Sequence, residues 1–134
     1  MDTLIQAILS DHLPELSFSY KIVSDATQAG WETVLTRLAD EEEVSLVLTT
    51  GGIDPVGFVP DATVAVCNKL FPGFGTIIRQ AVLPTNPAAL LWRNTAGLRN
   101  QTLIVNLPDS VETIRVGLPL LFPAIPNAIR LAKG

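Results

Sequence analysis

The chain has 134 residues and a mass of 14.4 kDa, which is one domain's worth of sequence, taken here as 1–134. Hydrophobic residues make up 48% and charged residues 16%, which excludes a disordered chain, while one Cys excludes an internal disulfide framework and, beside one His, argues against a His/Cys zinc site. A net charge of -4 and a pI near 4.8 leave no basic footprint for nucleic acid.

Residues 2–13 read as a helix, with Leu4, Ile5, Ile8 and Leu9 on one face and Pro14 as its stop. No Lys or Arg precedes this stretch, so it does not read as a targeting signal. Residues 16–23 alternate apolar and polar, the period of a half-buried strand. A helix follows, with Asp25 and Gln28 at capping-box spacing, running through Trp31, Val34, Leu35 and Leu38. It ends in Asp40-Glu41-Glu42-Glu43, expected as a solvated loop.

The run 44–50 is mostly apolar and ends in Gly51-Gly52, the pattern of a strand covered on both faces. A helix starts at 58–63, where Pro60 and Asp61 suit a first turn. Another helical stretch ends near Val82, before Pro84 and Pro87. Residues 88–93 are expected as a short strand, 96–100 as a turn and 102–106 as a buried strand. Asp109 and Glu112 repeat the capping-box spacing before a helix over 111–121, and Pro126 opens the last helix. No run approaches the ~18 apolar residues of a membrane span. The alternation predicts an α/β fold, a three-layer α/β/α sandwich with a mostly parallel sheet, in a soluble cytoplasmic protein.

In such sheets ligands bind beyond the carboxyl ends of the strands. Thr49-Thr50-Gly51-Gly52 and Asn106-Leu107-Pro108-Asp109-Ser110 are two such ends. Glycines there let backbone N–H groups approach an anion, and the Thr hydroxyls add donors. A tight turn is the simpler reading of the Gly pair, and both remain open.

These strings do not stand alone. Pro60-Asp61-Ala62-Thr63, Pro72-Gly73-Phe74-Gly75, Gly97-Leu98-Arg99 and Thr102-Leu103-Ile104-Val105-Asn106-Leu107-Pro108 follow the Thr-Thr-Gly-Gly string in order. The set resembles the molybdopterin adenylyltransferase family, which includes the gephyrin G domain, over residues 2–134. The resemblance implies a homotrimeric domain of molybdenum cofactor biosynthesis. It would transfer AMP from ATP to the terminal phosphate of molybdopterin with Mg²⁺. It implies that Thr49, Thr50, Gly51 and Gly52 hold the pterin ligand. Asn106, Leu107, Pro108, Asp109 and Ser110 would form the nucleotide-side loop. Asp25 matches a family Asp implicated in Mg²⁺ and nucleotide handling, and Asp54, a nearby carboxylate with no aligned family counterpart, is the candidate substitute as a second catalytic and metal-holding group. Asp25 also reads as a helix cap, Asp54-Pro55 as a turn initiator, and Arg93 and Arg99 as possible phosphate contacts.

Three departures are visible. The family loop continues Thr-Gly and reaches an Arg-Asp pair, whereas here Ile53-Asp54-Pro55-Val56-Gly57 follows and no aligned Arg-Asp pair exists. Asp109 replaces a Gly and would repel a phosphate unless a cation intervenes. The family's first strand and its Ser-Asp-Arg loop precede the point where this sequence starts. Repacking, a neighbouring subunit or another native start would each accommodate that. The alternative function is therefore a non-catalytic molybdopterin-binding or trimeric scaffold relative. A competence-damage-like domain is a third option. His12 is expected as a solvated helix-end residue, Cys67 as buried and inert, and Trp31 and Trp92 as core or interface anchors.

Overall fold

The computed structural model describes residues 2–14, 17, 27–122 and 124–134. The strand expected over 16–23, save Ser17, and Asp25 lie outside the described residues. The elements are α1 (Asp2–His12), α2 (Gln28–Asp40), β1 (Leu46–Thr50), α3 (Val59–Val66), β2 (Lys69–Leu70), α4 (Gly73–Val82), β3 (Ala96–Arg99), β4 (Thr102–Leu107), α5 (Val111–Gly117) and α6 (Ala124–Ala132). Short 3₁₀ turns fill Pro87–Leu91 and Leu118–Leu121.

The described strands lie in the order β1-β4-β3-β2. β1 runs parallel to β4, while β3 pairs antiparallel with both β4 and β2. The expected α/β layering is present, and this part of the sheet is mixed where a mostly parallel one was expected. The reason is local. Arg99 pairs with Thr102, so only Asn100 and Gln101 turn the chain, and Asn100 adopts φ 54. A two-residue hairpin favours Asn at such a left-handed position. A strand so connected must return antiparallel. The turn expected over 96–100 is thus strand β3 and the first residue of its hairpin. The strand expected over 88–93 is mostly the 3₁₀ turn Pro87–Leu91, with Asn86 accepting from the Ala88 N–H at 3.1 Å.

Every residue of β4 is buried, as its apolar run predicts. Leu103, Val105 and Leu107 face a core built with Leu9, Ile78, Ile114, Leu118 and Ile125. Ile104 points the other way, onto Leu35, Ala62 and Val66. The first core joins α1, α4, α5 and α6 to the sheet, and the second joins α2 and α3, so helices cover both faces. Trp31 packs on the second core. Among the described residues no single helix is long and apolar enough to cross a membrane.

Both expected capping boxes shift by one or two residues. Thr27 caps α2, its hydroxyl accepting from the Gly30 N–H at 3.1 Å, in place of Asp25. Ser110 caps α5 through the Thr113 N–H at 3.4 Å, in place of Asp109. A hydroxyl at either site can accept from the N3 amide, so spacing alone did not separate the candidates. His12 is exposed as expected, and it also stacks on Phe122 with ring centroids 4.4 Å apart. Cys67 ends α3, and burial pushes its thiol up to about 11, against a lowering by Arg99. That leaves it protonated and unreactive at neutral pH.

Asp40 is the last residue of α2, not loop. Arg99 grips it through Nε at 3.1 Å and Nη2 at 2.8 Å, Asn100 adds a bond at 3.2 Å, and Arg99 also reaches the Val66 carbonyl at 2.8 Å. The Arg99 hydrogen bond holds the Asp40 carboxyl below the usual range against the opposing effect of desolvation, with the Arg99 charge and the Asn100 bond adding to the lowering. A depressed folded pKa gives stability that is present above the ordinary carboxylate value and is lost as pH falls through the folded one. Stability should therefore drop more steeply below about pH 4 in the native chain than in Asp40→Asn. Thermal unfolding between neutral pH and strong acid checks this, and parallel curves would refute it.

Candidate ligand corner at the strand ends

The parallel pairing of β1 with β4 sets Thr49 opposite Asn106 and Thr50 opposite Leu107. Both strands therefore end at the same edge of the sheet. The Gly51 N–H extends the ladder to the Leu107 carbonyl at 2.9 Å. Beyond it the chain turns through Gly51 at φ 84 and Gly52 at φ 67, a backbone that side chains with a Cβ rarely adopt. A Cβ placed on Gly51 would stand 3.3 Å from the Asp109 Cβ. The two predicted loops are thus in contact. The helices α3 and α5 begin just after them, and α3 has no side-chain cap at its start.

The predicted residues divide into a floor and a rim. Asn106 is 1% exposed and Thr49 is 6% exposed. The Asn106 amide donates to Thr49 Oγ1 at 3.1 Å and Thr63 Oγ1 at 2.9 Å, and its Oδ1 accepts from the Thr95 N–H at 3.2 Å. The Thr63 hydroxyl passes its own proton to the Val59 carbonyl at 3.0 Å. Both amide protons of Asn106 are therefore spent inside the protein. Its side chain joins β1, α3, β4 and the segment before β3, rather than reaching into solvent. Leu107 and Pro108 are buried with it. Thr50, Gly51, Gly52, Asp109 and Ser110 reach the surface.

Asp54 is exposed on the loop leaving the corner. Its Oδ1 accepts from the Val56 N–H at 3.1 Å and its carbonyl from the Gly57 N–H at 3.0 Å, so the turn-initiating role is real. Asp109 is exposed and is released from capping by Ser110. Among the described residues no group of three His, Cys, Asp or Glu is placed to hold a metal. Arg99 sits at the opposite end of the sheet from the corner, so it is not a phosphate contact there. Arg93 does lie beside the corner, paired with Asp61.

Sequence reasoning missed the Thr63 and Thr95 contacts of Asn106, and also a second polar knot. Arg79 Nη1 donates to the Asn94 carbonyl at 2.8 Å and to its Oδ1 at 3.1 Å, just before Thr95. Burial lowers the Arg79 pKa. Partners so far apart in sequence leave no spacing signal, although Thr63 already stood in one of the quoted strings.

Layering and strand-end loops together define a class: α/β domains with two parallel strands ending side by side, the place where open sheets of this kind bind ligands. No protein-family model matches the chain. It is 43% identical over 133 residues to a protein of Helicobacter pylori strain J99 named molybdopterin adenylyltransferase, covering 97% of this chain and 75% of that one. Among solved structures, the molybdopterin biosynthesis enzyme MoaB of Thermus thermophilus superimposes with a TM-score of 0.84 at 32% identity, over 98% of this chain and 82% of that one. The molybdopterin biosynthesis Mog protein of Mycobacterium ulcerans gives 0.83 at 34%, over 98% and 85%. The chain belongs to the molybdopterin adenylyltransferase family.

Proposed function

We propose that the chain acts in molybdenum cofactor biosynthesis by transferring AMP from ATP to the terminal phosphate of molybdopterin. The observation that carries the reading is the contact between the Gly51-Gly52 turn and the Asp109 loop in a chain 43% identical to a relative of that name. In the reaction an oxygen of the molybdopterin phosphate bonds to the α-phosphorus of ATP. The bond from that phosphorus to the β-phosphate bridge oxygen breaks, and pyrophosphate leaves.

Two polyanions must meet, so the site must offset their repulsion in a medium of reduced dielectric. The exposed Gly52 and half-buried Thr50 are suited to the phosphate of the pterin, and the start of α3 adds partial positive charge. Asp109 and Ser110 belong to the nucleotide side. Magnesium takes one or two carboxylates, several waters and phosphate oxygens, so it needs no three-residue cage. Asp54 and Asp109 are exposed carboxylates of that kind beside the corner, and Asp25 is a further candidate outside the described residues. When bound, the cation would neutralise charge between the two phosphates.

The family resemblance also implies a homotrimer. Leu90 at 73% exposure, Leu91 at 61% and Leu131 at 72% are apolar surface of the sort an assembly covers. The names of the relatives favour catalysis over the scaffold alternative. Incubating the protein with molybdopterin, ATP and Mg²⁺ should yield adenylated molybdopterin and pyrophosphate, both lost on adding chelator. No product above a protein-free blank at micromolar protein would reject the activity.

A further inference from the structure

We propose that Arg93 and Asp61 form a latch that sets the geometry of the Gly51-Gly52 turn, as positioning residues for the transfer. The inference rests on the adenylyl-transfer reading.

Residues 53–58 leave the turn and return to the start of α3. Little burial holds them: Val56 is 80% exposed and Phe58 44%, and only Ile53, at 4%, points inward. Their shape is set by polar contacts instead. The Val59 N–H reaches the Gly52 carbonyl at 3.4 Å. Gly57 lies so close that a Cβ on it would stand 2.1 Å from the Gly52 oxygen. Any shift of Gly57 is therefore felt directly at Gly52.

Arg93 arrives from the far side of the chain and touches this segment at each end. Its N–H donates to the Ile53 carbonyl at 2.8 Å, and its Nη1 to the Gly57 carbonyl at 3.4 Å. Its Nη2 pairs with the Asp61 carboxylate in the first turn of α3. One guanidinium thus ties the loop to the helix that follows it. The loop has no Arg-Asp pair in its own sequence; it acquires one from Asp61 in the helix that follows it and Arg93, 32 positions further on. The two side chains are 38% and 36% exposed, so the pair adds little to global stability. What it fixes is where Gly57, and through it Gly52, can sit. A lysine has no fork to reach Gly57 and Asp61 together.

The test is a double-mutant cycle of Arg93→Ala and Asp61→Ala, with Arg93→Lys alongside. Two readouts are taken: kcat/KM for AMP transfer, and amide hydrogen exchange over 52–59 without substrate. Each single change should lower kcat/KM about tenfold and speed exchange about tenfold, with thermal midpoints within ~2 °C of the native chain. The double variant should be no worse than Arg93→Ala, because the contact with Asp61 is already lost in that variant. Arg93→Lys should behave closer to Arg93→Ala than to the native chain. Unchanged exchange in both single variants overturns the latch, as do losses that multiply in the double variant. Normal turnover in Asp61→Ala with loss in Arg93→Ala also overturns it, and would mean Arg93 meets the substrate itself. A native chain without transfer activity rejects the functional reading, and the exchange arm still decides whether the latch holds the loop.

Discussion

Replacing Gly52 with alanine should reduce AMP transfer by about 100-fold or more while the chain still folds. Gly52 sits at φ 67, where a side chain with a Cβ costs about 1–2 kcal/mol. Its new Cβ would also stand 2.7 Å from Val59 Cγ2, closer than such atoms approach. Val59 is 3% exposed and cannot swing into solvent. The turn must therefore open, and if the loop holds phosphate as proposed, a displacement near 1 Å costs on the order of 100-fold in rate. The stability loss should stay near 2 kcal/mol, since the strain is confined to a surface turn. Gly51→Ala is the internal comparison. It shares the positive φ, but its Cβ would stand 3.3 Å from Asp109 Cβ, a contact relieved by a shift of a few tenths of an ångström. Its effect on turnover should be clearly smaller. Steady-state kinetics on both variants, with thermal midpoints, check the order. Equal activity in Gly52→Ala and the native chain would remove the turn from the site.

Asn106→Leu should destabilise the fold by about 3 kcal/mol, a shift of roughly 10 °C in unfolding midpoint at fixed protein concentration. The side chain is 1% exposed and satisfies Thr49, Thr63 and the Thr95 N–H at once. Leucine fills similar volume, so the loss is polar rather than cavity-driven. Asn106→Asp is the sharper variant. It keeps the shape, but a carboxylate cannot donate to the two threonine oxygens, and its charge would be buried. It should be at least as damaging as leucine at pH 7. Urea unfolding distinguishes these outcomes. A change below about 0.5 kcal/mol in both variants would show that the network carries no weight.

The contrast between these two variants mirrors how the residues could be read. Gly51 and Gly52 followed a buried apolar run, and that local signal located the turn correctly. Asn106 stands in an equally visible string, whose family resemblance implies ligand contact. Its partners Thr49, Thr63 and Thr95 lie on three separate segments, so spacing could not reveal that its amide is spent internally. Asp109 shows the opposite displacement. It matched a capping box, yet Ser110 one residue later makes the cap, leaving the carboxylate at the rim. Strand β3 was missed because Ala96 and Gly97 have weak β-propensity, and its existence depends on pairing with β4 and β2.

The six helices, strands β1 and β4, the buried character of β4, the glycine turn and the family were written in the linear sequence. Each depends on neighbours within a few residues, or on strings whose order survives. Only the folded chain decided which carboxylate faces the rim, that Asn106 belongs to the floor, that Arg99 binds Asp40 far from the corner, and that Arg93 reaches back to the loop. The last three outcomes depend on contacts such as Arg93–Asp61 and Arg99–Asp40, 32 and 59 positions apart, which follow from strand register and helix packing rather than from local periodicity.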